Sequence, residues 1–129
     1  MYCMDRVNNR VFVRRYSYPR ITEHNHRLGS ISKNIFMLQP STAYIEDMKS
    51  YIYHYRALRY GASKQIRSWS MLYVKLMRDM AKQDSSIVLL TLTREEISVR
   101  DLSCISIKKA VEAELLPEVN HYTDYTHEL

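Results

Sequence analysis

Residues 40–84, PSTAYIEDMKSYIYHYRALRYGASKQIRSWSMLYVKLMRDMAKQD, decide the fold class. Pro40-Ser41-Thr42 puts a side-chain acceptor where a helix needs a cap, and Glu46 and Asp47 lie near the positive end of its dipole. Ile45, Met48, Ile52 and Tyr55 then recur at spacings of three and four, the period of one helix face. Gly61 stops this helix, and Arg56 and Arg59 complement its negative end. Ser63 can cap a second helix with the stripe Ile66, Trp69, Tyr73, Leu76 and Met80, which ends near Gln83-Asp84-Ser85-Ser86. The span 42–82 therefore predicts an antiparallel αα-hairpin closed by a three-residue turn.

Working outward, residues 1–33 read as a basic arm. Alternation of Phe12, Tyr16 and Tyr18 with Val7, Val11 and Val13, and a turn at Asn8-Asn9, would make a small hairpin. Pro19 ends any regular element there, and Thr22 to Ser32, with Gly29, reads as a loop. On the C-terminal side, Ile87 to Leu92 suits a short buried strand or a helical turn. Thr93 followed by Glu96 is a capping box that opens a helical segment over 93–116. That segment is one helix, or two short ones broken near Ser103, and Pro117 ends it. The tail 118–129 reads as polar, aromatic and loosely held. The expected fold is a single domain over 1–129, mainly α, or α+β if the N-terminal hairpin forms.

Composition supports this. Only Gly29 and Gly61 occur, where average usage near 7% would give about nine, which favours helices over turn-rich sandwiches and barrels. The same scarcity excludes a P-loop or a dinucleotide fingerprint, whose phosphate cradles need glycine, so no nucleotide cofactor is expected. No nucleophile elbow, zincin helix or calcium loop is present, and no cofactor or metal is assigned. Cys3 and Cys104 are too few for a disulfide framework, and no apolar stretch follows the polar start, which together predict a reducing, intracellular setting in cytoplasm or nucleus. The five arginines of the first twenty residues also suit an organellar transit peptide, although their apolar neighbours follow a strand period better than a helical one. The longest apolar run is Ile87 to Leu90, so no membrane association is expected.

Charge is unevenly distributed. Residues 1–82 hold fifteen Lys or Arg against five Asp or Glu, and residues 83–129 hold four against nine. A basic front of this kind suits a polyanion or an acidic partner. Within it, Tyr53, Arg56, Arg59, Tyr60, Lys64, Arg67 and Trp69 surround the turn of the helical hairpin, and Arg10, Arg14, Arg15 and Arg20 lie in the arm beside Phe12, Tyr16 and Tyr18. Aromatic faces interleaved with cations are what single-stranded nucleic acid needs, because bases stack on rings while phosphates pair with Arg and Lys. The competing reading makes Tyr55 and Trp69 core residues and the cations a solvated face.

Two resemblances concern the C-terminal segment. Thr93 to Ser98 resembles the positioning helix of a helix-turn-helix, and Ser106 to Val111 its recognition helix, although the linking glycine is absent and Leu102 falls one position late. Ser98-Val99, Leu102, Ser103, Ile107 and Leu116-Pro117 are similar to the elongin-binding helix of SOCS-box proteins and of lentiviral Vif proteins, with Cys104 one position late and the second proline of the motif missing. The second resemblance implies a helix that presents Ile97, Leu102, Ile107, Val111 and Leu115 to a protein partner or to a second copy of the chain. His24 and His26 flank Asn25, and on a strand they would share a face able to hold a divalent metal. A non-enzymatic protein that binds RNA or single-stranded DNA through its basic face is the primary expectation. A protein-interaction subunit using the 97–115 helix and an acidic partner is the alternative.

Overall fold

The computed structural model of the chain describes residues 2–58 and 66–129. Its elements are β1 (Tyr2–Asp5), β2 (Arg10–Val13), α1 (Glu23–Met37), α2 (Thr42–Arg56), α3 (Trp69–Gln83), α4 (Arg94–Val99) and α5 (Ile107–Glu112). Short 3-10 turns at Ser103–Ile105 and Tyr122–Asp124 complete them. The fold is mainly α with a small β-hairpin, as expected.

The strands β1 and β2 pair antiparallel, with Tyr2 opposite Val13 and Asp5 opposite Arg10. Asn9 takes a left-handed conformation (φ 49°) in the connection, which an asparagine tolerates better than most residues. The Asp5 carboxylate accepts from Asn8 Nδ2 (2.8 Å) and from the Val7 amide (3.0 Å), which holds its pKa below the usual carboxylate value. No residue of either strand is buried.

Residues 23–37 correct the expected loop. Thr22 caps α1 by accepting from the Asn25 amide (3.4 Å), and Leu28, Ile31, Ile35 and Leu38 fall on one face at helical spacing. Only Ile35 and Leu38 of these are fully buried, so a narrow apolar stripe lies in an otherwise polar segment. That is why its composition resembles a loop.

The helical hairpin forms with different ends. Ser41 caps α2 and accepts from the Tyr44 amide (3.3 Å), as the sequence predicts. Helix α3 begins at Trp69 with Ser68 as its cap, so Ile66 packs into the core ahead of the helix rather than within it. The helices end at Arg56 and restart at Trp69, so the link exceeds three residues; Gly61 and Ser63 lie outside the described residues. Tyr44 early in α2 meets Tyr73 of α3 (ring centroids 6.5 Å apart), while Arg56 at the end of α2 reaches the Arg67 carbonyl (3.1 Å) ahead of α3. The two helices thus pack on each other.

Ile87 to Leu92 is not a strand. Ile87, Leu89 and Leu92 turn inward while Val88 and Leu90 stay exposed, but among the described residues no strand lies alongside to form a ladder. The segment is turns, held by Asn34 of α1, whose Nδ2 donates to the carbonyls of Leu89 (2.7 Å) and Leu92 (3.2 Å). Thr93 caps α4 by accepting from the Glu96 amide (3.2 Å). The 93–116 segment then breaks at Asp101 (φ 49°) into α4, a 3-10 turn and α5, so it is two short helices rather than one.

The tail departs furthest from expectation. Val119, Tyr125 and Leu129 are buried in the same core cluster as the helices. The Leu129 amide donates to the Ile105 carbonyl (3.0 Å), the Tyr125 carbonyl accepts from the Lys108 amide (3.0 Å), and Ser41 Oγ donates to the Glu128 carbonyl (2.8 Å). Arg94 donates to the main-chain oxygen of Leu129. Asp47, one of the two buried polar residues of the described chain, accepts from the His127 amide (3.2 Å) and sits 2.9 Å from His127 Nδ1. The tail is therefore part of the core and not a loose end.

No helix among the described residues is long and apolar enough to cross a membrane.

Candidate nucleic-acid interface

Helix α2 turns Lys49, Tyr53 and Arg56 to one side, at spacings of four and three. Opposite them, the residues entering α3 supply Arg67 and Trp69. Together with Ile52 these line an open pocket of about 360 Å³. Among the described residues, no carboxylate lines it. Tyr53 is 75% exposed and packs edge-on to His54, with centroids 5.5 Å apart and planes at 82°. Arg56 is steered by its hydrogen bond to the Arg67 carbonyl. Trp69 is half-buried against the core and meets Phe36 edge-on at 6.3 Å. An exposed ring beside two guanidinium groups and an ammonium group can stack on a planar ligand and pair with its anionic substituents.

Of the residues expected at this site, Tyr53, Arg56 and Arg67 come together. Arg59, Tyr60 and Lys64 lie outside the described residues. Tyr51 and Tyr55, adjacent in sequence, are buried and stack on each other at 6.1 Å, so the aromatic cluster divides between core and surface. Lys49 was not anticipated, although its spacing from Tyr53 and Arg56 places it on the same helix face. It also pairs with Glu46 at 2.8 Å.

The arm arginines do not join this pocket. Arg10 lies on β2 opposite Asp5, and Arg14 and Arg15 line a separate pocket of about 310 Å³ with Cys3, Tyr16 and Ser17. Tyr16 and Tyr18 meet edge-on at 4.8 Å, and Arg20 is exposed, its carbonyl accepting from Asn25 Nδ2 (3.3 Å).

The five side chains expected to face a partner are not surface residues. Ile97 (1% exposed), Leu102, Ile107 (0%), Val111 and Leu115 all belong to the protein's own core. The apolar positions that carry both C-terminal resemblances, Leu102, Ile107 and Leu116, are buried with them. Lys109 pairs with Asp101, and Lys108 lies 4.0 Å from Glu112, so the lysines of the supposed recognition helix face carboxylates of the same segment. His24 and His26 are on α1 rather than a strand, two residues apart, which directs them to different faces. Among the described residues, no three of His, Cys, Asp and Glu gather as a metal site.

The ion pairs also show how the two charged halves relate. Lys49, Lys75 and Lys82 pair with Glu46 and Asp79 inside the basic half. Arg100, Lys108 and Lys109 pair with Asp84, Glu96, Glu112 and Asp101 inside the acidic half. Among the described residues, only His127 and Asp47 pair across the boundary.

No protein-family model matches the chain, and comparison with curated proteins and with solved structures finds no match.

Proposed function

We propose that the protein is a non-enzymatic binding module that contacts single-stranded nucleic acid through the α2–α3 face. The observation that carries this reading is the pocket between Lys49, Tyr53, Arg56, Arg67 and Trp69, which sets an exposed ring beside two guanidinium groups and the Lys49 ammonium, the last also paired with Glu46. A base stacks on Tyr53, and Arg56, Arg67 and Lys49 hold the flanking phosphates. The arm, with Arg10, Arg14, Arg15 and Arg20, supplies further phosphate contacts along the strand.

The test is fluorescence anisotropy with labelled single-stranded RNA and DNA oligonucleotides at two salt concentrations. Binding is expected to weaken steeply as salt rises, because each phosphate neutralised releases counterions. Tyr53→Ala should weaken it by about 1–3 kcal/mol through loss of stacking. The double variant Arg56→Ala/Arg67→Ala should reduce the slope of log affinity against log salt by about two. All these positions are on the surface of the hairpin, so circular dichroism should be unchanged. Absence of binding at low salt would overturn the reading.

A further inference from the structure

A second open groove, of about 600 Å³, lies on the other side of the Trp69–Phe36 contact. Its apolar part is Phe36 from the end of α1 with Met71 and Val74 of α3, of which Phe36 is 39% and Met71 49% exposed. Its remaining wall is the cationic row Lys75, Arg78 and Lys82, at spacings of three and four along α3. The one carboxylate there, Asp79, already pairs with Lys75 at 2.5 Å and lies 4.0 Å from Lys82. Arg78 has no ion-pair partner among the described residues, so the groove carries a net positive charge that no carboxylate of its own neutralises.

Two features separate this groove from the nucleic-acid face. The apolar part is aliphatic apart from Phe36, whose ring is engaged at an angle by Trp69 and Tyr73 (5.7 Å). The cations form a row beside an apolar strip rather than surrounding a ring. A strip of this kind fits side chains recurring every three or four residues, flanked by carboxylates. We propose that the α1–α3 groove docks an acidic amphipathic helix of a protein partner, its apolar residues on Phe36, Met71 and Val74 and its Asp or Glu side chains on Lys75, Arg78 and Lys82. Charge complementarity sets both the encounter rate and the orientation of the helix.

The experiment titrates the full-length protein with a fluorescein-labelled helical peptide that carries leucine on one face and glutamate on its flanks. A matched peptide with every glutamate changed to glutamine serves as control. Amide shifts in a 15N NMR spectrum are expected along the exposed side of α3 from Ser70 to Lys82, and not at Lys49, Tyr53 or Arg56. The glutamine peptide and the variant Arg78→Glu/Lys82→Glu should each bind about tenfold more weakly. The variant changes only exposed or half-exposed positions and should still bind single-stranded RNA, which keeps this result distinct from failure of the nucleic-acid reading. Equal binding of the two peptides, or shifts elsewhere, would overturn the proposal. Displacement of the peptide by single-stranded RNA would overturn it in favour of one continuous nucleic-acid surface. Self-association in the ultracentrifuge that the variant abolishes would overturn it in favour of a second copy.

Discussion

Three tyrosine hydroxyls tie the helical hairpin to the rest of the molecule. Tyr44 donates to the Cys104 carbonyl (2.8 Å), Tyr51 to the Pro117 carbonyl (2.7 Å) and Tyr73 to the Ile35 carbonyl (2.8 Å). Each ring is fully buried, so each fills core volume while its hydroxyl satisfies a backbone acceptor far away in sequence. Removing the Tyr44 hydroxyl leaves the Cys104 carbonyl buried without that donor. Tyr44→Phe is therefore expected to destabilise the fold by about 1–3 kcal/mol in urea denaturation, although the aromatic volume is kept. The sequence does not distinguish these tyrosines from Tyr53, because tyrosine serves equally in a core and on a surface. What separates them is position on the helix: Tyr44, Tyr51 and Tyr55 lie on the inward face with Met48 and Ile52, and Tyr53 points away.

At the level of elements, the capping residues were legible and the packing partners were not. Ser41 and Thr93 open α2 and α4 where a hydroxyl precedes an apolar period, because the cap interaction is local. Helix α1 and the tail were misread for a common reason. Each presents few apolar residues, and these become core only when other elements close over them. The tail shows this most clearly, since Val119, Tyr125 and Leu129 are separated by polar residues and yet buried. Burying a large apolar side chain contributes about 1.5–3 kcal/mol, so deletion of residues 118–129 should lower stability by more than about 4 kcal/mol, with further loss from the Asp47 contacts to His127. Deletion of residues 1–13, which place no described side chain in the core, should leave the thermal midpoint unchanged. Differential scanning calorimetry of the two truncations measures both outcomes. An equal fall in midpoint for the two would contradict this division between core tail and peripheral hairpin.

Across the whole molecule, the hairpin, the 3-10 turn at Cys104 and the tail share one interior, and its ionisable groups respond together to alkali. Burial pushes the Tyr44, Tyr51 and Tyr73 hydroxyls above the ordinary tyrosine value of 10.0. Burial also pushes the Cys104 thiol from 9.0 up to about 12. All four groups are neutral when protonated, so the folded chain holds protons that the unfolded chain releases. Their contribution is fully present below the unfolded values and is lost as pH rises towards the folded ones. The urea midpoint should thus be flat to about pH 9 and then fall, with tyrosinate absorbance from the buried rings appearing only as the chain unfolds. Tyrosinate signal from all eleven tyrosines ahead of unfolding would contradict the buried assignment.

The sequence by itself determined what depends on neighbours along the chain: the mainly helical class and its central pair of helices, the caps at Ser41 and Thr93, the turn near Asn9, the break in the 93–116 segment as one of two readings, and the separation of charge. Hydrogen bonds to a cap and the period of one face need only a few consecutive residues, so they can be read in order. Tertiary structure alone decided which apolar residues belong to the interior. It assigned Ile97, Leu102, Ile107, Val111 and Leu115 to the protein's own core rather than to a partner, and it brought Lys49, Tyr53, Arg56, Arg67 and Trp69 to one surface. Burial of a side chain requires atoms from distant segments around it, and no local pattern states which segments those are.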